Sequence, residues 1–204
     1  MTERIERALR DAAGGDGVGE AVQQFLSAAD DAHLVDVAYA RTDTPFGEML
    51  VATTSRGVVR VGFLHALSED EVVEELAAEV SPRVLHAPAR LDDVRRQLEE
   101  YFEGRRRRFE LRTDRRLIHG FARKVLAQTA RIPYGSFLTY AEVAAEAGNP
   151  RAHRAAGSAL ARNPIPIVIP CHRVLRSGGV VGNYGGGPEM KARLLALEGA
   201  EVSR

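Results

Sequence analysis

The chain has a single cysteine, Cys171, in the run Asn163-Pro164-Ile165-Pro166-Ile167-Val168-Ile169-Pro170-Cys171-His172-Arg173-Val174, and its thiol is the strongest candidate nucleophile in the sequence. The reactive form of cysteine is the thiolate, favoured by nearby positive charge or an adjacent base. His172 and Arg173 offer both in sequence. Further on, Met190, Leu194 and Glu198 are spaced four apart, so on a helix the carboxylate shares a face with two apolar side chains and needs a partner there. His172 fits that need, with Glu198 holding its ring in a Cys-His-Glu relay. Two plainer readings stand beside this one: Cys171 as a small buried hydrophobe, and Glu198 as a surface carboxylate at a helix end.

Such a thiol needs a rigid mount. Pro164, Pro166 and Pro170 each fix φ and remove a donor, so 165–169 is not expected to be a central strand despite its β-branched content. The expectation is a stiff, extended, buried segment ending in a turn. After Cys171, residues 172–175 alternate into Ser177-Gly178-Gly179 and Val180-Val181 returns, a hairpin signal. The glycine-rich stretch Gly182-Asn183-Tyr184-Gly185-Gly186-Gly187 lacks the Gly-Lys-Ser/Thr of a phosphate loop and the spacing of a dinucleotide fingerprint. Its glycines instead allow close backbone approach to something flat or bulky. The last helix is expected from Pro188 to Gly199.

Ahead of this segment, Leu117–Arg131 carries apolar residues at helical spacing and ends at Pro133-Tyr134-Gly135. Thr139 and Glu142 form a capping box opening a helix to Ala147, Gly148 stops it, and Asn149-Pro150 read as the cap and first residue of a helix towards Arg162. Two short helices across a glycine turn, the second with Arg151, His153, Arg154 and Arg162, fit a helix-turn-helix. A helical hairpin packed inside a domain is the alternative.

In the first half, residues 35–63 read as three short strands, Ser68 with Glu71 caps a helix through Val80, and Leu91–Phe102 is a second amphipathic helix. Residues 1–34 carry two helix-like pieces around Gly14-Gly15-Asp16-Gly17 and read as an appended arm of unassigned role. Arg105-Arg106-Arg107-Arg108 reads either as a phosphate-binding run or as a solvated linker or edge-strand face. The resulting division is an arm over 1–34, an α+β domain over 35–104, a linker over 105–116 and a mainly helical domain over 117–204.

Residues 1–103 hold 10 arginines and no lysine against 21 acids, and residues 104–204 hold 18 basic against 7 acidic residues, so the halves carry net charges of −11 and +11. The basic half is the footprint of a polyanion-binding surface, and an acidic-basic interface within the chain is the alternative. One cysteine excludes an intramolecular disulfide and any multi-cysteine zinc site. With no signal-like or membrane-length apolar run, a cytoplasmic protein is expected.

Pro170-Cys171-His172-Arg173-Val174, with Asn163-Pro164 before it and Gly182-Asn183-Tyr184 and Lys191-x-x-Leu194-Leu195-x-x-Glu198 after it, closely resembles the O6-alkylguanine-DNA alkyltransferases. The resemblance begins near Val35 and is strongest over 121–199. It implies an α+β fold: a small N-terminal ribonuclease H-like domain, then a mainly helical DNA-binding domain with a helix-turn-helix. It also implies a single-use reaction in which Cys171 takes the alkyl group from O6 of guanine and keeps it. No metal or organic cofactor is implied. The partner would be duplex DNA containing O6-alkylguanine, held by a monomer through the minor groove with little sequence preference, and no membrane.

By the same resemblance, His172 activates Cys171 through a water, Glu198 orients His172, and Asn163 braces the turn. Arg154 would be the finger that enters the base stack, and Tyr140 would crowd the neighbouring phosphate and donate to guanine N3. The carbonyls of Cys171 and Val174 would accept from the exocyclic amine, the amide of Gly185 would donate to O6, and Pro166 and Tyr184 would wall the alkyl pocket. The chain departs from the family's pattern at Leu126, in place of a tryptophan, at Ala156 within Arg154-Ala155-Ala156-Gly157, in place of a valine, and at Gly185, where some relatives have serine. Two rival readings are an alkyltransferase-like protein that flags lesions without repairing them, and a Cys-His-Glu hydrolase or thiol oxidoreductase. The presence of Cys171 opposes the first; the missing second cysteine and the basic helix-turn-helix oppose the second.

Overall fold

The computed structural model describes residues 35–202. The arm expected over 1–34 lies outside the described residues. The strands β1 (Val37–Thr42), β2 (Met49–Thr54) and β3 (Gly57–Phe63) form an antiparallel meander. A fourth strand, β4 (Val84–His86), absent from the sequence reading, pairs parallel with β1 and completes the order β3-β2-β1-β4. Successive β2 residues serve opposite faces, as strand geometry requires. Leu50 and Ala52 join Val37 and Val59 under helix α1 (Glu69–Glu79), where Val72 and Leu76 pack. Met49 and Val51 face the larger core with Leu98 and Tyr101 of α2 (Asp92–Phe102). Burial on both faces explains why β2 is apolar from Met49 to Ala52.

That larger core runs without a break into the helical half, through Val125 of α3 (Gly120–Thr129), Val143 of α4 (Tyr140–Glu146), Ala156 of α5 (His153–Ala161) and Leu194 of α6 (Pro188–Leu197). Main-chain bonds also join the halves. Val61 N–H donates to the Pro164 carbonyl at 2.8 Å, and residues 112–114 run beside β3 through Val58 N–H to Arg112 O at 2.9 Å and Asp114 N–H to Val58 O at 2.8 Å. The stretch expected to be a linker is therefore held against the sheet edge.

Both expected capping boxes form, Ser68 with Glu71 and Thr139 with Glu142. The second helix of the pair starts later than expected. Asn149 and Pro150 belong to the turn, where Ala152 N–H donates to Asn149 O at 3.0 Å, and α5 begins at His153. Likewise α3 begins at Gly120, three residues past Leu117. Among the described residues no helix is long and apolar enough to cross a membrane.

Two expectations around the cysteine are corrected. Residues 165–169 are not extended but fold into a tight turn, with Ile167 at φ 72°, Val168 N–H bonded to Pro166 O at 2.9 Å and Ile169 N–H to Ile165 O at 2.9 Å. A β-branched residue rarely enters this left-handed region, so the turn stores backbone strain that its surroundings must hold. Nor do residues 174–181 form a two-stranded hairpin. Strand β6 (Val174–Leu175) pairs in parallel with β5 (Leu138–Thr139), and a compact turn closes through Arg176 N–H to Val180 O at 2.9 Å.

Candidate active site

Cys171 opens a single 3-10 turn, Cys171–Arg173, between the strained turn and β6. Asn163 ties this arrangement together. Its Nδ2 donates to Ile169 O at 2.8 Å and to Cys171 Sγ at 3.2 Å, while its Oδ1 accepts from Ile165 N–H at 3.1 Å. One side chain thus satisfies buried main-chain groups on both arms of the turn and touches the sulfur.

The Glu198 carboxylate, at the C-terminal end of α6, gathers five donors. Its Oε1 accepts from Tyr101 Oη at 2.6 Å, Arg173 Nη2 at 2.8 Å and His172 Nε2 at 2.9 Å. Oε2 accepts from Arg173 Nε at 2.8 Å and Gly135 N–H at 3.3 Å. Burial opposes its ionisation, but the bonds from His172 and Arg173 prevail and bring its pKa down to about 2. An ionised carboxylate only accepts, so the Nε2 of His172 carries the proton and Nδ1 keeps the lone pair. Burial also lowers the pKa of His172, against the pull of Glu198, and favours the neutral ring. The buried Nδ1 has no protein partner among the described residues and is the atom left to act as a base. Gly135 is required here, because at its φ of +74° a Cβ would sit 2.9 Å from the Glu198 carbonyl oxygen.

The positive charge near the thiol does not come from the two residues that follow it in sequence. Arg173 is neutralised by Glu198 and bonds Ile132 O through Nη1 at 2.6 Å, and burial favours the neutral form of His172. Burial pushes the Cys171 thiol up, and the Asn163 bond and the charge of Lys191 oppose that rise. Lys191, on α6, is 1% exposed, donates to Val174 O and lies 5.7 Å from the Tyr140 ring centroid. Burial lowers its pKa to about 8, countered by Cys171 and reinforced by Arg176.

Sequence reasoning assigned no role to Lys191 or Tyr101. A signal existed for Lys191: it is one of only two lysines beside 26 arginines, and it shares the α6 face of Leu194, Leu195 and Glu198. None existed for Tyr101, whose bond to Glu198 spans 97 positions.

Cys171 opens onto a cavity of about 440 Å³ lined by Tyr140, Arg154, Gly157, Arg176, Asn183 and Tyr184, among others. Arg154 is exposed at the start of α5, the second helix of the pair. Tyr140 is fixed at the first residue of α4, and Gly182 leaves room for its hydroxyl, since a Cβ there would lie 2.9 Å away. A buried thiol at the base of a cavity, rimmed by a cationic helix, suits attack on an electrophile held by a polyanion.

Comparison with known proteins agrees with this geometry. A family model described as the ribonuclease-like domain of 6-O-methylguanine DNA methyltransferase matches residues 37–115, and one described as its DNA-binding domain matches residues 120–200. The constitutive methylated-DNA–protein-cysteine methyltransferase of Bacillus subtilis is 35% identical over 161 residues, covering 78% of this chain and 94% of that protein. The chain belongs to the methylated-DNA–protein-cysteine methyltransferase family. A rat member is 36% identical over 82% of this chain and 85% of its own length. The crystal structure of the Mycobacterium tuberculosis O6-methylguanine methyltransferase superposes with a TM-score of 0.68 at 32% identity, covering 80% of this chain and 93% of that one. The same enzyme in complex with DNA gives 0.68 at 31% identity, over 79% and 92%.

Against the roles that family resemblance implies, Cys171, Tyr140, Arg154 and Tyr184 come together around one cavity, while His172, Glu198 and Asn163 lie behind the thiol. Pro166 and Gly185 do not line that cavity. Pro166 is buried in the strained turn, and Gly185 borders a separate cleft with Phe63 and Asn163. The Val174 carbonyl, expected to receive a guanine amine, already accepts from Lys191 and has one further lone pair to offer.

Proposed function

We propose that this chain repairs O6-alkylguanine in duplex DNA by transferring the alkyl group irreversibly to Cys171. The observation that carries the reading is the placement of the sole thiol at the base of the Tyr140–Arg154 cavity, backed by a histidine whose Nε2 is committed to Glu198. His172 Nδ1, through a water, takes the thiol proton, and Lys191 and Asn163 favour the resulting thiolate. The sulfur attacks the alkyl carbon, an S–C bond forms and the C–O6 bond breaks. Guanine leaves as an anion that is then protonated. The thioether has no route back, so each chain reacts once.

The target base must leave the stack, at a cost of about a few kcal/mol. Arg154 replaces it there, and Tyr140 crowds the neighbouring phosphate and donates to N3. The Cys171 and Val174 carbonyls receive the exocyclic amine, with Tyr184 closing the alkyl side. Affinity comes from phosphate contacts through the minor groove with little sequence preference. Residues 117–204 carry the DNA and the chemistry, 35–104 brace them, 105–116 connect the two, and the protein acts as a cytoplasmic monomer. The test is incubation with duplex DNA bearing one O6-methylguanine, followed by peptide mass analysis. The expected result is one added methyl on the Cys171 peptide and at most one event per chain. Repeated turnover, or an unmodified Cys171 in a folded chain, would overturn the reading.

A further inference from the structure

The arginine run 105–108 divides at its midpoint. Arg105 pairs with Glu103, and Arg106 with Glu100 at 2.7 Å and Glu110 at 4.0 Å. Arg107 and Arg108 instead line a cleft of about 590 Å³, walled on its far side by 167–170, the residues leading into Cys171. Arg115 and Arg131 line the same cleft, and no Asp or Glu does. Some exposed arginines elsewhere pair with acids, as Arg83 does with Asp36 and Arg96 with Asp93 and Glu100, while others, such as Arg151, Arg154 and Arg162, stand apart on the helix-turn-helix. The four in the cleft have no carboxylate partner among the described residues. Arg107 lies 5.7 Å from the Tyr134 ring centroid, Arg115 Nε donates to Thr113 Oγ1 at 3.2 Å, and Arg131 donates to Gln128 Oε1 at 3.3 Å. Arg173 also reaches the cleft, but its guanidinium is committed to Glu198 and Ile132.

Four like charges converging without a counter-ion favour an anion between them, and guanidinium forks match phosphate oxygens closely. The floor adds the partly buried ring of Tyr134 with Pro133 and Val168, a surface on which a planar base can lie. The volume falls within the range of about 300–1,000 Å³ common to small-molecule sites. We propose that this cleft binds a phosphate-bearing ligand of nucleotide size. It shares no lining residue with the Cys171 cavity and is a second site. The same chemistry is offered by a free nucleotide and by one nucleotide of a DNA single strand.

The experiment is calorimetric titration of the full chain with ADP, adenosine and the oligonucleotide (dT)8, comparing wild type with Arg107→Gln/Arg131→Gln, Arg108→Gln and Arg154→Ala. We expect saturable one-to-one ADP binding that weakens with salt, no binding of adenosine, a loss of at least about tenfold in the double variant and a smaller loss in Arg108→Gln. Arg154→Ala retains ADP binding, which separates this site from the lesion cavity, and alkyl transfer by the double variant stays within about twofold of wild type as the check on its fold. ADP tighter than (dT)8 assigns a free nucleotide, and (dT)8 tighter than ADP assigns a DNA strand where that binding falls in the double variant and survives in Arg154→Ala. Absence of saturable binding by either probe, equal binding of adenosine and ADP, or unchanged affinity in both arginine variants would overturn the proposal.

Discussion

Arg173 holds both oxygens of Glu198, with Nε to Oε2 and Nη2 to Oε1 each at 2.8 Å, and the two side chains are 8% and 0% exposed. A buried pair of this kind is costly to break, because the surviving partner keeps its charge and loses its counter-ion. Glu198→Gln should therefore destabilise the fold by about 3–5 kcal/mol in urea denaturation. Arg173→Met combined with Glu198→Gln should cost clearly less than the two single changes added together. Strict additivity would show that the pair is not coupled.

The same site sets an acid limit. The folded pKa of Glu198 is depressed, so its contribution is complete above the ordinary carboxylate value of 4.5 and is lost as pH falls towards about 2. Linkage gives it a worth of about 3 kcal/mol at neutral pH. Stability measured from pH 6 down to pH 2 should fall mainly within that window, and Glu198→Gln should flatten the fall.

Asn163→Ala removes a donor from Ile169 O and Cys171 Sγ and an acceptor from Ile165 N–H, all buried. Leaving such groups unpaired costs about 1–3 kcal/mol each, so a loss of about 2–4 kcal/mol is expected. The strained φ of Ile167 makes the turn depend on this brace. A loss below about 0.5 kcal/mol would mean the turn is held by something else.

Local chemistry was readable from the sequence; long-range pairing was not. The capping boxes at Ser68 and Thr139 depend on residues three apart and appeared where expected. Strand β4 is three residues long and exists only by pairing with β1, over forty residues earlier, so no periodicity announces it. The residue types before Cys171 spoke for extended backbone, but Ile167 adopts a positive φ because Asn163 and the Pro164 link to β3 hold the loop closed. Pro150 read as a helix start from its type alone; in the fold Asn149 N–H bonds Ala144 O at 2.9 Å and the turn absorbs both residues. The contact of Glu198 with His172, next to Cys171, was anticipated from sequence, whereas the disposition of charge was not, since Arg173 turns to Glu198 and Lys191 faces the thiol's surroundings instead.

Arg154 gives a test of division between binding and chemistry. It is exposed, lines the Cys171 cavity from α5, and contributes nothing to the Glu198 cluster. Arg154→Ala should slow alkyl transfer from duplex O6-methylguanine by about tenfold or more, since filling the vacated stack offsets part of a flipping cost of about a few kcal/mol. Transfer from the free base should change by less than about twofold. Equal loss on both substrates would contradict the finger role.

Lys191 tests the electrostatics of the thiol. Its folded pKa of about 8 lies below its ordinary 10.5, so its buried charge weakens the fold below pH 8, and stability should rise as pH climbs between those values. In return, its ammonium lowers the pKa of Cys171 against the effect of burial. Lys191→Met should remove the alkaline rise in stability and raise the thiol pKa, since the opposing charge is gone. The thiolate absorbance can be followed directly, because Cys171 is the chain's only cysteine. The rate of alkyl transfer at pH 7 should fall by about tenfold and recover at higher pH, whereas Lys191→Arg, which keeps the charge, should lie between the two. If the methionine variant kept the wild-type pH profile, the thiolate would owe its stability to Asn163 and His172 alone.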